Sequence, residues 1–207
     1  VKAKALVLDY GNVISERHDE TCYGRMAALA GLSEAFFREG FWRYRPAYDR
    51  GELRGVELWR RVLDDAGVSA DRAILEALVR EDVGSWRRVS DAVTRWALDI
   101  QAKGFKLGIL SNMPVDFLEV YGSSVELFRR ADFALFSCEL GLVKPEPAIY
   151  RACVERAGVL PDEIVFFDDM EANVRSALDA GIAAYQWVGL DRAREDWAAA
   201  SGARRDE

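Results

Sequence analysis

Histidine occurs once in this chain and cysteine only three times, and no stretch of 18 consecutive apolar residues is present. Each shortage excludes something. Cys22, Cys138 and Cys153 are odd in number and lack metal-knuckle spacing, which argues against a disulfide framework or a thiolate zinc site. Reduced packing thiols in a cytoplasmic protein are expected instead. Without a long apolar run, no membrane-spanning helix is expected. The chain enters an apolar strand almost at once, so no signal peptide is expected either. Positive charge is also short: 28 Lys and Arg stand against 35 Asp and Glu, a formal charge of −7. That balance disfavours a broad nucleic-acid footprint and leaves phosphate to local cations. There is no internal repeat and no low-complexity tract.

What is present is core-forming material. Half of the 207 residues are apolar and six are Trp, enough for one compact domain or a core with a small insertion. Short apolar segments at 4–9, 106–111, 132–136, 163–168 and 183–188 read as strands. Helix-period segments separate them, the pattern of a parallel sheet with crossover helices. In 89–103, Val89, Val93, Trp96, Ala97 and Ile100 fall on one face, and Gly104 stops the helix. Gly181 and Gly158 close helices over 172–180 and 148–157 in the same way.

Residues 17–86 break this rhythm. They hold no convincing strand. Ser69 reads as the N-cap of a helix over 70–80, and Val56, Trp59 and Leu63 share a helical face. Residues 50–55 read as a turn between helices. The expected organisation is an α/β core of residues 1–16 and 87–207 with a helical cap at 17–86. Such helices either lid the loop after the first strand or only pack on the sheet. Trp42, Arg43, Tyr44, Arg45 and Tyr48 form an aromatic and basic cluster. It suits a sugar ring and an anion, or else a packed helix end with solvated arginines, so it stays outside the candidate site. The polar segment 191–207 reads as a helix or frayed tail without chemistry.

Four stations at or after strand ends carry the chemistry, because ligands of open α/β sheets bind outside the carboxyl ends of the strands. Lys4–Leu8 leads into Asp9-Tyr10-Gly11-Asn12. A carboxylate there either attacks phosphorus as a nucleophile or merely caps a turn. Gly11 and Asn12 let the loop turn and aim N–H groups at an anion. Ser111 and Asn112 end the second strand, ready to donate to phosphate oxygens or to cap the next helix. Lys144 precedes Pro145-Glu146-Pro147, which stiffens the backbone, and a held ammonium there neutralises developing charge. Asp168 and Asp169 end a strand as an adjacent acidic pair, which needs a cation or donors beside it. Asp169 is the expected Mg²⁺ ligand. Asp168 is expected to orient the ligand shell or pair with Lys144, and Asn173 to face the same loop.

Taken together, these motifs and the inserted helices resemble the haloacid dehalogenase-like hydrolase superfamily, over nearly the whole chain. Gly-Asn-Val-Ile after Asp9, Lys-Pro-Glu-Pro-Ala-Ile-Tyr from Lys144 and Phe-Phe-Asp-Asp ending at Asp169 are similar to its sugar-phosphate phosphatases. That branch includes the α-glucose-1-phosphate phosphatase and epoxide hydrolase N-terminal domain types. The resemblance implies a Rossmann-like parallel sheet with an inserted helical cap. It implies Asp9 as nucleophile, Ser111 and Asn112 as phosphate binders and Lys144 as charge stabiliser. Mg²⁺ would be held by Asp9, Asp169 and the Gly11 carbonyl. The implied activity is Mg²⁺-dependent hydrolysis of a small phosphorylated metabolite, with neither nucleic acid nor membrane as partner and with monomer and homodimer both open.

One departure matters. Phosphatases of the superfamily usually carry an acid/base Asp where this chain has Gly11, a function worth about 10²–10⁴-fold in rate. Either another residue substitutes, with Glu16 preferred over Ser15 and His18, or the substrate has a good leaving group such as an anomeric phosphate. A 2-haloacid dehalogenase also lacks that Asp, although the Asp168–Asp169 pair disfavours a metal-free site. The remaining alternative is a catalytically silent module that binds a phosphorylated ligand or a protein.

Overall fold

The computed structural model describes residues 3–202. In chain order it contains β1 (Ala5–Leu8), an irregular turn at Tyr10–Ile14, α1 (Cys22–Ala30), α2 (Glu34–Asp49), α3 (Gly55–Asp65) and α4 (Arg72–Gly84). There follow α5 (Asp91–Ala102), β2 (Lys106–Ser111), α6 (Val115–Tyr121), α7 (Glu126–Arg130), β3 (Phe133–Phe136), α8 (Ser137–Leu140) and α9 (Pro147–Ala157). The chain then forms β4 (Ile164–Asp168), α10 (Glu171–Asp179), β5 (Ala183–Gln186) and α11 (Leu190–Ser201).

The five strands make one parallel sheet in the order β3-β2-β1-β4-β5. β1 is central, with Leu8 level with Ile109 on one side and Phe167 on the other. A strand covered on both faces needs apolar side chains at every position, and all four residues of β1 are buried. Leu6 and Leu8 join Ile109, Phe167, Trp96 and Trp197 in one cluster. Ala5 and Val7 join Phe166, Ile149 and Tyr150 in the other, as the twofold alternation of strand side chains requires.

The helices α1–α4 follow the first strand and have an apolar cluster of their own, drawn from residues 22–78. Trp59 lies at its centre, its ring 5.7 Å from Phe37 and 6.0 Å from Phe41. The chain enters and leaves this insertion through an antiparallel pair. Ser15 bridges Val89, Glu16 N donates to Arg88 O at 2.8 Å, and Ser90 N donates to Ile14 O at 2.9 Å. Farther out, Arg50 forks onto Glu146 and Arg54 pairs with Glu119. The Gly55 N–H, at the start of α3, donates to Asp116 at 3.0 Å.

One helix start differs from expectation. Asp71, not Ser69, caps α4, taking the Ile74 N–H at 2.9 Å, and the helix runs on to Gly84. Both residues suit an N-cap, and the one placed three residues before a free helical N–H wins. The polar C-terminal segment is helical through Ser201 and docks by Trp197 against Phe105, with ring centroids 5.0 Å apart. Residues 203–207 of that expected tail lie outside the described residues. Among the described residues no helix is long and apolar enough to cross a membrane.

Candidate active site

The carboxyl ends of β1, β2 and β4 and the loop after α8 meet at one edge of the sheet. Asp9 follows β1 directly, its N–H held by Phe167 O at 3.0 Å. Lys144 reaches it from the loop before α9: Nζ lies 2.9 Å from Asp9 Oδ1 and 2.5 Å from Asp168 Oδ2. Only 4% of Lys144 is exposed, so this is no surface lysine. Its backbone is clamped by Asn112, whose Nδ2 donates to Lys144 O at 2.9 Å while Lys144 N donates to Oδ1 at 2.8 Å.

Asp168 is fully occupied as an anchor. Its other oxygen accepts from Asn173 Nδ2 at 2.8 Å and from Met170 N at 2.9 Å. Asp169 accepts from Asn12 Nδ2 at 2.8 Å. Asn12 itself adopts a left-handed backbone, φ +56°, which its short polar side chain tolerates. The two hydrogen bonds to Asp9, from Lys144 and from Tyr10 N at 2.7 Å, both fall on Oδ1. The Asp9 carboxylate is therefore oriented through one oxygen, and Oδ2 receives none of these bonds.

Charge in this cluster is out of balance. One ligand oxygen from each of Asp9, Asp168 and Asp169 lies within 4.8 Å of the others. Three carboxylates face one ammonium. Burial pushes the Asp9 carboxyl up to about 7; Lys144 opposes the rise, and Asp168 and Asp169 add to it. Burial also raises Asp169, against the Asn12 hydrogen bond. Burial works against the charge on Lys144, yet Asp168 and Asp9 outweigh it and hold its pKa above the ordinary lysine value. Hard oxygen donors with excess negative charge fit Mg²⁺.

These groups floor a cavity of about 890 Å³ between the sheet edge and the inserted helices, within the usual range for small-molecule sites. Asp9, Gly11, Asn112, Lys144, Asp169 and Asn173 all line it. Ser111 does not: it is buried at the end of β2, with Oγ 3.5 Å from Asn112 O, behind the lining. Asn112 lines the cavity, but its side-chain amide is spent on the Lys144 backbone, so its backbone N–H is the group left for an anion.

Glu16 is not brought to the cavity. It stands exposed beyond the turn, its carboxylate 3.5 Å from Arg88, because the antiparallel pair with residue 88 fixes it outside. His18 does line the cavity, stacked on Trp86 at 4.1 Å with Nε2 2.9 Å from Ser85 Oγ, and burial lowers its pKa to about 4. The Trp86 ring also covers Gly11: a Cβ built there would lie 3.4 Å from it. A methyl group there would rest in ordinary van der Waals contact with the indole.

Arg45, Asp82 and Trp86 are among the lining residues that were not candidates drawn from the sequence. Arg45 turns inward from α2 and pairs with Asp49 at 2.6 Å, whereas its neighbour Arg43 is exposed and pairs with Asp65. The signal available was the spacing Phe41, Arg45, Tyr48, Asp49, one face of a helix.

Asp82 is 3% exposed, and burial raises its carboxyl to about 7, with Arg45 opposing and Asp49 adding to the rise. The folded chain therefore keeps a proton that the unfolded chain releases above its ordinary value of 3.8. Stability from this group is full below about pH 4 and is lost as pH climbs to about 7. Asp82→Asn removes the effect. Its melting temperature, relative to the unsubstituted protein, should be higher at pH 8 than at pH 5. Calorimetry at the two pH values checks this, and an equal offset at both rejects it.

Comparison with known proteins adds the following. Residues 3–181 match the haloacid dehalogenase-like hydrolase family. The chain is 26% identical over 196 residues to bifunctional epoxide hydrolase 2 of Sus scrofa, covering 87% of this chain and 35% of that protein. It thus spans about a third or less of the epoxide hydrolases it matches. It is 28% identical over 200 residues to the phosphoserine phosphatase of Thermus thermophilus, covering 84% of this chain and 78% of that one. A HAD family enzyme of Bacteroides thetaiotaomicron, solved in complex with magnesium and inorganic phosphate, superposes with a TM-score of 0.75. That pair is 21% identical, over 93% of this chain and 98% of the other, a likeness of fold.

Proposed function

The chain belongs to the haloacid dehalogenase-like hydrolase family, and from that premise we propose that it hydrolyses the phosphomonoester of a small phosphorylated metabolite, with Mg²⁺, through an aspartyl-phosphate intermediate. The observation that carries this reading is the ammonium of Lys144 buried between Asp9 and Asp168, with Asp169 beside them on the cavity floor. Relatives named as phosphatases support it.

In this reading Asp9, the Gly11 carbonyl and Asp169 hold the metal, which when bound neutralises phosphate oxygens and makes phosphorus more electrophilic. Asp9 Oδ2 attacks phosphorus in line, and the ester P–O bond breaks toward the inserted helices. Lys144 meets charge on the equatorial oxygens, with the Asn112 N–H beside it. Asp168 and Asn173 keep the ammonium aimed. Water then hydrolyses the aspartyl phosphate, freeing Asp9. The helices α1–α4 act as a cap that shields the site from bulk water. No carboxylate stands at position 11 and Glu16 lies outside, so the reading favours leaving groups that need little protonation. Anomeric oxygens of sugar phosphates are of that kind.

The test is phenyl phosphate hydrolysis with Mg²⁺, after chelation, and after Mg²⁺ is restored. Turnover should vanish with chelation and return with the metal. Halide release from 2-chloropropionate without metal, and no phosphate release, would replace this reading with a dehalogenase.

A further inference from the structure

The inserted helices meet the core again at the end of α2 and the turn that leads into α3. Arg50 forks onto Glu146, with Nη2 2.6 Å from Oε1 and Nη1 3.0 Å from Oε2, and Nη1 also donates to Gly141 O at 3.2 Å. The Ser137 hydroxyl donates to Asp49 O at 2.5 Å. Gly51, at φ +80°, lies so close to α8 that a Cβ there would stand 2.7 Å from Cys138 O. Farther along the turn, Arg54 pairs with Glu119 and the Gly55 N–H with Asp116, both on α6.

These ties fall on different parts of the core. Arg54 and Gly55 grip α6. Arg50 grips the loop that carries Lys144, and it does so at both ends, with Gly141 and Glu146 on either side of that residue. Pro145 and Pro147 flank Glu146 and fix φ at two positions, so the segment from Lys144 to Glu146 has little slack. The lysine stem itself is flexible, and its backbone must therefore be held if Nζ is to stay within reach of Asp9 and Asp168. Asn112 holds that backbone from the core side, and Ser176 donates to Pro145 O at 2.7 Å. Arg50 adds a hold from the insertion. It is not on the cavity lining, so whatever it does for the reaction passes through this loop.

We propose that Arg50 is a positioning residue: from the turn after α2 it clamps Gly141 and Glu146 and thereby keeps the Lys144 ammonium aimed at the phosphate. The inference rests on the phosphomonoesterase reading above for what Lys144 does. It makes the inserted helices part of the charge-stabilising apparatus, not only a cover over it. Arg50 and Glu146 keep 27% and 38% of their side chains exposed, and a pair so placed adds little to stability. Its worth is geometric, because two parallel N–H···O bonds fix direction as well as distance. Misplacing a reacting group by about 1 Å can cost about 10²-fold in rate. Loss of Arg50 should therefore weigh on turnover far more than on melting.

The experiment sets Arg50→Ala beside Arg54→Ala, which removes a tie of the same turn that lands on α6. With phenyl phosphate and Mg²⁺, Arg50→Ala should lower kcat at least about fivefold and change KM less than about threefold. Arg54→Ala should leave kcat within about twofold. Arg50→Lys, which supplies charge without the fork, should recover part of the loss. Glu146→Gln approaches the pair from the core and should lower kcat in the same direction, which keeps the test decisive if Arg50→Ala does not fold. Hydrogen exchange read by mass spectrometry gives a measure apart from activity. The amides of residues 141–146, among them the Lys144 N–H held by Asn112, should exchange faster in Arg50→Ala and at an unchanged rate in Arg54→Ala. A smaller fall in kcat for Arg50→Ala overturns the inference, as does an equal fall in Arg54→Ala or a loss carried by KM. So does loop exchange that Arg50→Ala leaves unaltered. Failure of the hydrolase reading is seen separately, as absence of phosphate release from every ester by the unsubstituted chain, and the exchange result does not depend on it.

Discussion

Asp9→Asn should lower phosphate release from phenyl phosphate by at least ~10⁴-fold while the protein still melts cooperatively. The expectation follows from position and bonding. Asp9 is the only carboxylate delivered directly by the central strand, and its Oδ1 is pinned by Lys144 and the Tyr10 N–H. An amide of the same shape keeps the cavity filled and still accepts on its oxygen, but it is no nucleophile. The buried Asp9 carboxyl is already pushed up to about 7, so exchanging it for a neutral group removes a burden on the fold. Single-turnover assays with and without Mg²⁺, alongside calorimetric melting, give the two readouts. Activity within tenfold of the unsubstituted protein rejects Asp9 as the attacking group.

Lys144→Ala should act on both rate and stability. Removal of one preorganised charge stabiliser costs about 10²–10³-fold in kcat. It also strands Asp9 and Asp168 in the interior without their shared ammonium. Breaking a buried ion pair from one side costs roughly 3–5 kcal/mol, because the remaining charge is buried without compensation. Added Mg²⁺ should raise the melting temperature of this variant more than that of the unsubstituted protein, since a ligand that binds only the folded state stabilises it. It should not restore the rate, because a cation on the carboxylates cannot stand where the ammonium meets the equatorial oxygens. A variant that keeps kcat within tenfold, or that gains no thermal stability from Mg²⁺, rejects the assignment.

How much of this could be read from residues alone varied with the distance over which the information acts. β1 was legible because Ala5-Leu6-Val7-Leu8 is apolar at every position, the mark of a strand covered on both faces. The meeting of Asp9 and Asp168 followed from parallel strands, which must deliver their carboxyl ends to one edge, whereas Lys144 joins them from the loop after α8. The register of Leu8 with Phe167 makes that convergence concrete. Glu16 shows where such reasoning ends. Sequence proximity to Asp9 says nothing about which way a side chain points after an irregular turn, and the Glu16 N–H bond to Arg88 turns it to solvent. Ser69 and Asp71 differ by two residues and share the same capping chemistry, so local preference could not separate them. Arg45 and Asp82 come from helices 37 positions apart, and only the packing of α1–α4 around Trp59 brings them to one wall. Arg45 was visible inside an aromatic and basic cluster, but its exposed neighbours Trp42 and Arg43 masked the inward face it shares with Phe41 and Asp49.

The rung between Ser15 and Val89 places the two crossing points of the chain side by side, beneath everything that α1–α4 add. A graft attached at adjacent points does not ask the scaffold under it to stretch. Its helices can be lengthened, trimmed or traded while the strand registers that aim Asp9 and Asp168 stay as they are. On the proposed reading, selectivity can drift in such a molecule while the strand-end residues at the sheet edge stand still.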